Sequence, residues 1–159
     1  MDLSAGVRQV IANFKGTNNG ARFSPNGSRI AMTLSGSGNA ELYVSNQFGR
    51  ELRRITKNNS VETSPSWSPD GQSRVYASDA LGRPQLFVAS ASGGARRRLA
   101  TNISLYCAEP DWNPRNSSQI TFTAAVNGGF QIALYDSKLQ SSKIISNLKG
   151  SAVEPTWLN

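Results

Sequence analysis

The acidic residues with the most regular placement in the chain are Glu62, Glu109 and Glu154. Each opens a short run that ends on a tryptophan: Glu-Thr-Ser-Pro-Ser-Trp, Glu-Pro-Asp-Trp and Glu-Pro-Thr-Trp. Paired carboxylates can hydrolyse a glycosidic bond when one is protonated and the other ionised. They can also attract a cation or a basic segment of a partner. A third interpretation is that each Glu only solvates a loop, because the following proline restricts its backbone in either case.

The absence of histidine narrows the chemistry available to this chain of 159 residues. Without histidine, Ser-His-Asp and Cys-His catalysis and the common catalytic zinc sites are excluded within the chain. The single cysteine, Cys107, allows no internal disulfide and is expected to be a small apolar residue near a strand. We therefore expect no enzymatic activity, no metal and no cofactor.

A repeat of about 45 residues runs through the chain and relates the positions of these carboxylates to one another. The motif at 67–71, Trp-Ser-Pro-Asp-Gly, returns as Phe-Ser-Pro-Asn-Gly at 23–27 and in altered form at 112–116, and Trp157 begins a fourth copy. The aromatic positions 23, 67, 112 and 157 are 44, 45 and 45 residues apart. A fixed period of this length is typical of repeat architectures.

Each repeat divides into four short strands, A to D, separated by turn residues, which predicts an all-β chain. Four-stranded units of this length indicate a β-propeller segment of antiparallel blades. We expect one partial domain over 1–159, with complete blades at 20–57, 63–101 and 108–147. Two further strands are predicted, a lone rim strand D at 7–12 and a lone inner strand A at 153–159.

The aromatic residues are expected to form the core between adjacent blades: Phe23, Trp67, Trp112 and Trp157, together with Tyr43, Phe87 and Phe122. Complete propellers have about 4–8 blades, so we expect three blades to form an open arc. The end blades would then expose apolar faces and favour self-association.

The net charge of +7 makes nucleic acid and anionic membranes candidate partners. The basic residues concentrate in the outermost strand of each repeat: Arg8, Arg53, Arg54, Arg96, Arg97, Arg98 and Lys143. Charges there hinder edge-to-edge pairing of sheets, and no aromatic residues alternate with them as in single-strand binding sites. No apolar run approaches the roughly 20 residues of a membrane-spanning helix. We therefore expect neither nucleic-acid binding nor membrane insertion.

The aromatic residue followed by Ser-Pro-Asp-Gly resembles the TolB-type β-propeller repeat, which also occurs in prolyl-oligopeptidase-like proteases and bacterial surface proteins. The segments 6–10, 19–27 and 78–87, the last containing Gly-Arg-Pro-Gln, resemble the propeller of the TolB family more closely. The resemblance implies a periplasmic, non-enzymatic propeller of about six blades, preceded by a small α/β domain. It also implies docking of the peptidoglycan-associated lipoprotein Pal at the channel mouth in the Tol-Pal envelope system, on a face that colicins exploit. Against that pattern, we expect this chain to lack the α/β domain and about half of the propeller. Residues 1–6 carry no signal peptide, so a signal is expected upstream.

The same resemblance implies that partner contacts lie on the loops before strand A. The residues at these positions are Thr17, Asn18, Asn19 and Gly20 in the first repeat, Thr63 and Ser64 in the second, and Ala108 and Glu109 in the third. With Glu62 and Glu154 beside them, they predict a negative channel mouth inside a basic rim, suited to a cation or a basic segment of a partner. Two alternatives remain open: the propeller of a serine peptidase, and a propeller that binds a sugar or another small ligand.

Overall fold

The computed structural model describes residues 10–146 and 149–158, and these residues form twelve β-strands and no helix. The strands group into three four-stranded antiparallel sheets, each made of consecutive strands, which we call the first, second and third blades. The first blade contains β1 (Asn18–Phe23), β2 (Arg29–Leu34), β3 (Glu41–Asn46) and β4 (Arg53–Arg54). The second contains β5 (Glu62–Trp67), β6 (Ser73–Ser78), β7 (Gln85–Ser90) and β8 (Arg96–Arg98), and the third β9 (Cys107–Trp112), β10 (Gln119–Val126), β11 (Gly129–Asp136) and β12 (Ser141–Ile144). The predicted all-β architecture of four-stranded blades is confirmed.

The turn between the first two strands of a blade is closed by the side chains of the repeated motif. In the second blade, the Asp70 carboxylate accepts hydrogen bonds from Ser68 Oγ at 2.5 Å and from the Gln72 amide at 2.9 Å. Gly71 has φ of 68°, a conformation that costs glycine little. Asn26 takes the place of Asp70 in the first blade. The motif therefore recurs because each blade needs the same turn.

Apolar side chains pack between the blades in two seams. In the first seam, between the first and second blades, Leu42 packs with Tyr76 and Phe87, and Trp67 packs against the first blade. The second seam contains Val75, Leu86, Leu99, Cys107, Ile120, Phe122, Ala124, Ala133 and Tyr135. Because both faces of the second blade are covered, every residue from 74 to 78 is buried despite the alternation of a strand. The predicted inter-blade packing of Trp67, Phe87 and Phe122 is confirmed.

Phe23 differs from its counterparts in the repeat, since 58% of its surface is exposed while Trp67 is 7% exposed. Its pairing with Ile30 places Phe23 on the face of the first blade that no other described sheet covers. Ile11 and Phe14 pack on part of that face. The prediction that Phe23 lies in an inter-blade core is therefore wrong for the described residues. Trp112, Trp157 and Tyr43 are partly buried.

The two predicted terminal strands are not formed in the described residues. Residues 10–12 and 151–158 carry no strand, and residues 7–9 and 159 lie outside the described part of the chain, as does residue 147 at the end of the third predicted blade. A β-strand is defined by its ladder with a neighbour, and neither residues 10–12 nor residues 151–158 have such a ladder. Residues 10–12 lie against the β3–β4 turn, where a Cβ on Gly49 would come within 1.6 Å of the Ile11 carbonyl oxygen.

The basic residues of the rim strands do more than protect an edge. Arg54 Nη2 donates to Glu41 Oε1 at 2.8 Å, and Arg98 Nη2 donates to Gln85 Oε1 at 2.9 Å. These are equivalent pairs in two blades, and each ties β4 or β8 back to the start of the third strand of its own sheet. Part of the basic charge is therefore structural. Arg8 lies outside the described residues.

Candidate functional site

The inner strands β1, β5 and β9 each contain a bulge at the same place in the repeat. The pairing register shifts between Asn19 and Arg22, between Thr63 and Ser66, and at the corresponding point of β9. The residues at the bulge have left-handed backbones: Gly20 with φ of 62°, Ser64 with 54° and Glu109 with 51°, and Glu154 follows in the next repeat with 54°. Bulges re-aim side chains and are common next to functional sites.

Three of these left-handed residues precede a proline, in the pairs 64–65, 109–110 and 154–155. A left-handed backbone costs a residue other than glycine roughly 1–2 kcal/mol, and a following proline disfavours helical backbone angles further. Strain of this kind persists only where the surrounding structure compensates for it. Such strain is concentrated at binding and active sites, so its repetition along the inner strands points to a functional surface.

The four left-handed residues line one concave groove of about 630 Å³, which we call the inner groove. The first blade forms one wall, the second blade the floor, and the third blade with residues 154–156 the other wall. Its lining consists of Asn19, Gly20, Arg22, Thr63, Ser64, Pro65, Glu109, Pro110, Glu154, Pro155 and Thr156. Six of the predicted contact residues are therefore brought together: Asn19, Gly20, Thr63, Ser64, Glu109 and Glu154.

Three other predicted residues lie at the end of the inner strands without lining the groove. The Asn18 side chain is held by Phe14, donating to its carbonyl oxygen at 2.7 Å and accepting from its amide at 3.0 Å. The Thr17 amide donates to Ser35 Oγ at 2.8 Å. Ala108 is buried and is paired with Thr123 across the sheet.

Glu62 is not at the channel mouth, which corrects its predicted place beside Glu109 and Glu154. Its residue surface is fully buried, and its Oε1 accepts hydrogen bonds from Asn58 Nδ2 at 2.9 Å, Ser78 Oγ at 3.0 Å and Arg96 Nη1 at 2.5 Å. Burial raises the pKa of the Glu62 carboxyl even though these donors favour its charged form. Glu62 lies five residues before its tryptophan, whereas Glu109 and Glu154 lie three before theirs. Counting back from each tryptophan would have distinguished Glu62 from Glu109 and Glu154.

The carboxylates of Glu109 and Glu154 differ in their hydrogen bonds. Glu109 Oε2 accepts from Thr123 Oγ1 at 2.7 Å and from the amide of Glu154 at 3.0 Å. The Glu154 side chain is exposed and accepts no hydrogen bond from the described residues. One carboxylate thus holds the backbone of the next inner segment, and the other is free.

Arg22 is a groove residue that the sequence analysis did not single out. It lies in the wall of the first blade, is exposed, and donates from Nη1 to the neighbouring Ala21 carbonyl at 3.2 Å. The place just before the aromatic residue, which Arg22 occupies in the first repeat, belongs to Ser66, Asp111 and Thr156 in the others. Aligning the repeats would have shown one cation among neutral and acidic residues.

Asp111 joins the inner strands below the groove. Its Oδ1 accepts from Ser66 Oγ at 2.9 Å, and its Oδ2 accepts from the Trp157 amide at 2.9 Å and from Thr156 Oγ1 at 3.3 Å. Its carbonyl oxygen also accepts from Trp157 Nε1 at 3.1 Å. A single aspartate therefore ties its own repeat to the one before it and the one after it, and so holds the floor of the groove against the wall that contains residues 154–156.

The inner groove continues into a second cavity of about 550 Å³ at the opposite end of the inner strands. Arg22 and Thr156 line both cavities, and Phe23, Trp67, Trp112 and Trp157 line the second. Among the described residues, no three acidic, cysteine or histidine side chains are grouped so as to hold a metal ion. The described chain also contains no helix with the length and apolarity needed to cross a membrane.

Comparison with known proteins identifies the family. Residues 1–158 match the model of the TolB beta propeller domain. The Tol-Pal system protein TolB of Bordetella parapertussis is 34% identical over 98% of this chain and 45% of its own length. The crystal structure of TolB from Acinetobacter baumannii superposes with a TM-score of 0.78 at 28% identity, covering 94% of this chain and 38% of that one.

The chain thus spans less than half the length of these relatives. Puromycin hydrolase shares the fold, with a TM-score of 0.68, but only 18% of the sequence. The family match extends over nearly the whole chain and therefore includes all three observed blades. The chain belongs to the TolB β-propeller family.

Proposed function

We propose that the chain is a non-catalytic docking element of the Tol-Pal cell-envelope system and that its inner groove binds a Pal-like peptidoglycan-associated lipoprotein. The observation that carries the proposal is the meeting of six predicted contact residues in one groove lined by strained bulges. Relatives that match the chain bear the name Tol-Pal system protein. The proposed location of the chain is accordingly the periplasm.

The arrangement of the two groove carboxylates favours binding over catalysis. A glycosidase needs one carboxyl group as proton donor and a second as base or nucleophile. Glu109 is instead occupied by Thr123 and by the Glu154 amide, which leaves one free carboxylate in the groove. With no histidine in the chain, a docking function fits these residues better than a hydrolytic one.

Blocking the groove tests the proposal. Asn19 is exposed in the groove wall, so Asn19→Trp should fill part of the groove and weaken binding of the soluble lipoprotein domain about tenfold or more. Lys138→Trp adds the same bulk at the exposed β11–β12 turn and serves as the control. Isothermal titration calorimetry gives both dissociation constants. No binding by the unsubstituted chain, or equal affinities for both variants, would contradict the proposal.

A further inference from the structure

The charges of the inner groove differ from the three-carboxylate mouth that the sequence indicates. Glu62 is buried in the first seam and contributes no accessible charge. Glu109 accepts hydrogen bonds only from neutral donors, so its charge stays on the same wall as Glu154, and Arg22, a cation, lies in the opposite wall. The groove therefore presents the guanidinium of Arg22 on one wall and the exposed carboxylate of Glu154, with that of Glu109 beside it, on the other.

Glu109 acts on the groove through Glu154. The Glu109 carboxylate and Thr123 Oγ1 both accept from the amide of Glu154, at 3.0 Å and 3.1 Å. That amide belongs to a residue with φ of 54° before Pro155, so these bonds offset the strain of its left-handed backbone. Glu109 is thus a positioning residue that fixes where the Glu154 side chain leaves the chain.

Arg22 has no carboxylate partner among the described residues. Within the part of the chain that the structure describes, its guanidinium makes one hydrogen bond, from Nη1 to the neighbouring Ala21 carbonyl at 3.2 Å. The floor between the two walls is neutral, since Thr63, Ser64 and Pro65 carry no charge. A cation on one wall and a carboxylate on the other give the groove two poles rather than a single negative field.

We propose that the inner groove recognises a polypeptide segment that carries both an acidic and a basic side chain, the acidic one facing Arg22 and the basic one facing Glu154. This inference rests on the proposed function, because it describes the partner of the same groove. A purely basic segment would meet an unfavourable charge at Arg22, and a purely acidic one would meet it at Glu154. The two poles would also set the direction in which the segment lies across the groove.

Neutralising each pole separately tests this inference. Arg22→Gln and Glu154→Gln should each weaken binding of the soluble lipoprotein domain about two- to fivefold, the range of one exposed ion pair, and the loss should shrink as salt is raised. Arg115→Gln and Glu51→Gln remove exposed charges of the same types outside the groove and should change the affinity less than about twofold. The sign of the Arg22→Gln effect is decisive. If the partner segment is purely basic, removing Arg22 will tighten binding, and that result would overturn the inference.

The positioning role of Glu109 has its own measurement. Glu109→Gln keeps an oxygen that can accept from the Glu154 amide, so it should leave the affinity within about twofold, while Glu109→Ala should weaken binding as much as Glu154→Gln. Amide hydrogen exchange at Glu154 should quicken in Glu109→Ala and stay slow in Glu109→Gln, with or without a partner. Equal exchange rates in the two variants would show that Glu109 does not position Glu154.

Failure of the proposed function can be told apart from failure of this inference. If the lipoprotein domain does not bind the unsubstituted chain, the proposed function fails. The chain is then titrated with three designed hexapeptides in a Ser-Gly background, which contain one Lys and one Glu, Lys alone, or Glu alone. NMR shifts of the groove amides should be largest with the mixed peptide and should fall in Arg22→Gln and in Glu154→Gln. Equal shifts, or none, with all three peptides would overturn the inference.

Discussion

Replacing Trp67 by alanine and, separately, Phe23 by alanine compares two residues that hold the same place in the repeat. Trp67 is 7% exposed, packs against Ala31 and Val44, and donates from Nε1 to the Arg22 carbonyl at 3.0 Å. Removing a buried tryptophan costs about 3–5 kcal/mol, and the lost hydrogen bond across the seam adds about 1 kcal/mol. We expect Trp67→Ala to lower the free energy of unfolding by about 4 kcal/mol or more.

Phe23→Ala should have a much smaller effect, because more than half of the side chain is already in water. A substitution of this kind changes the free energy of unfolding by about 1 kcal/mol or less. Urea unfolding followed by circular dichroism measures both values without relying on tryptophan fluorescence. Equal destabilisation by the two substitutions, independent of protein concentration, would refute the role assigned to the seams.

A large effect of Phe23→Ala that appears only at high protein concentration would have a different meaning. The face of the first blade that carries Phe23 would then be covered by a second copy of the chain. Self-association through this apolar face is a prediction of the sequence analysis that the exposure of Phe23 supports. Light scattering over the same concentration range separates the two cases: in the self-associating case the chain is larger than a monomer and becomes smaller in Phe23→Ser.

Two further predictions concern groups that hold the blades together. Burial raises the pKa of Glu62 above its ordinary value of 4.5, so the folded state binds this proton more tightly. The stabilisation from this proton is fully present below about pH 4.5 and is lost as the pH rises through the folded pKa. The urea midpoint of the unsubstituted chain should therefore fall relative to that of Glu62→Gln over this window, and parallel pH profiles would contradict the assignment. Asp111→Ala removes the acceptor of Ser66, Thr156 and Trp157 and should cost about 2–3 kcal/mol in urea unfolding, whereas a loss below about 0.5 kcal/mol would show that these contacts do not join the repeats.

The blades could be predicted from the sequence because local chemistry repeats with the period. The Ser-Pro-Asx-Gly motif closes its turn with its own side chains, and alternation within each strand needs no distant information. The terminal segments could not be predicted in the same way, since a strand at 10–12 or at 153–158 needs a partner that the local sequence does not supply. Val10 matched the spacing of rim strands, yet residues 10–12 lie against the β3–β4 turn without a ladder.

Part of the groove could be predicted from the sequence. The place of Glu109 and Glu154 before their tryptophans, and the position of Asn19, Thr63 and Ser64 ahead of the aromatic residue, followed from the repeat. The left-handed backbones of Ser64, Glu109 and Glu154 did not, because serine and glutamate seldom adopt them without support. For Glu154 that support comes from the preceding repeat, where the Glu109 carboxylate accepts a hydrogen bond from the Glu154 amide, 45 residues further along the chain.

The sequence by itself determined the period, the four-stranded blades, their turns and the inner strands on which a binding surface would lie. The tertiary structure alone decided which of three similar glutamates is buried, which is bonded and which is free, and it added Arg22 to the same groove. It also decided that Trp67 is core while Phe23 is surface. The physical reason is that a repeat determines where each residue lies on its own blade. The burial of a side chain and the charges around it depend instead on the residues that the neighbouring blade packs against it.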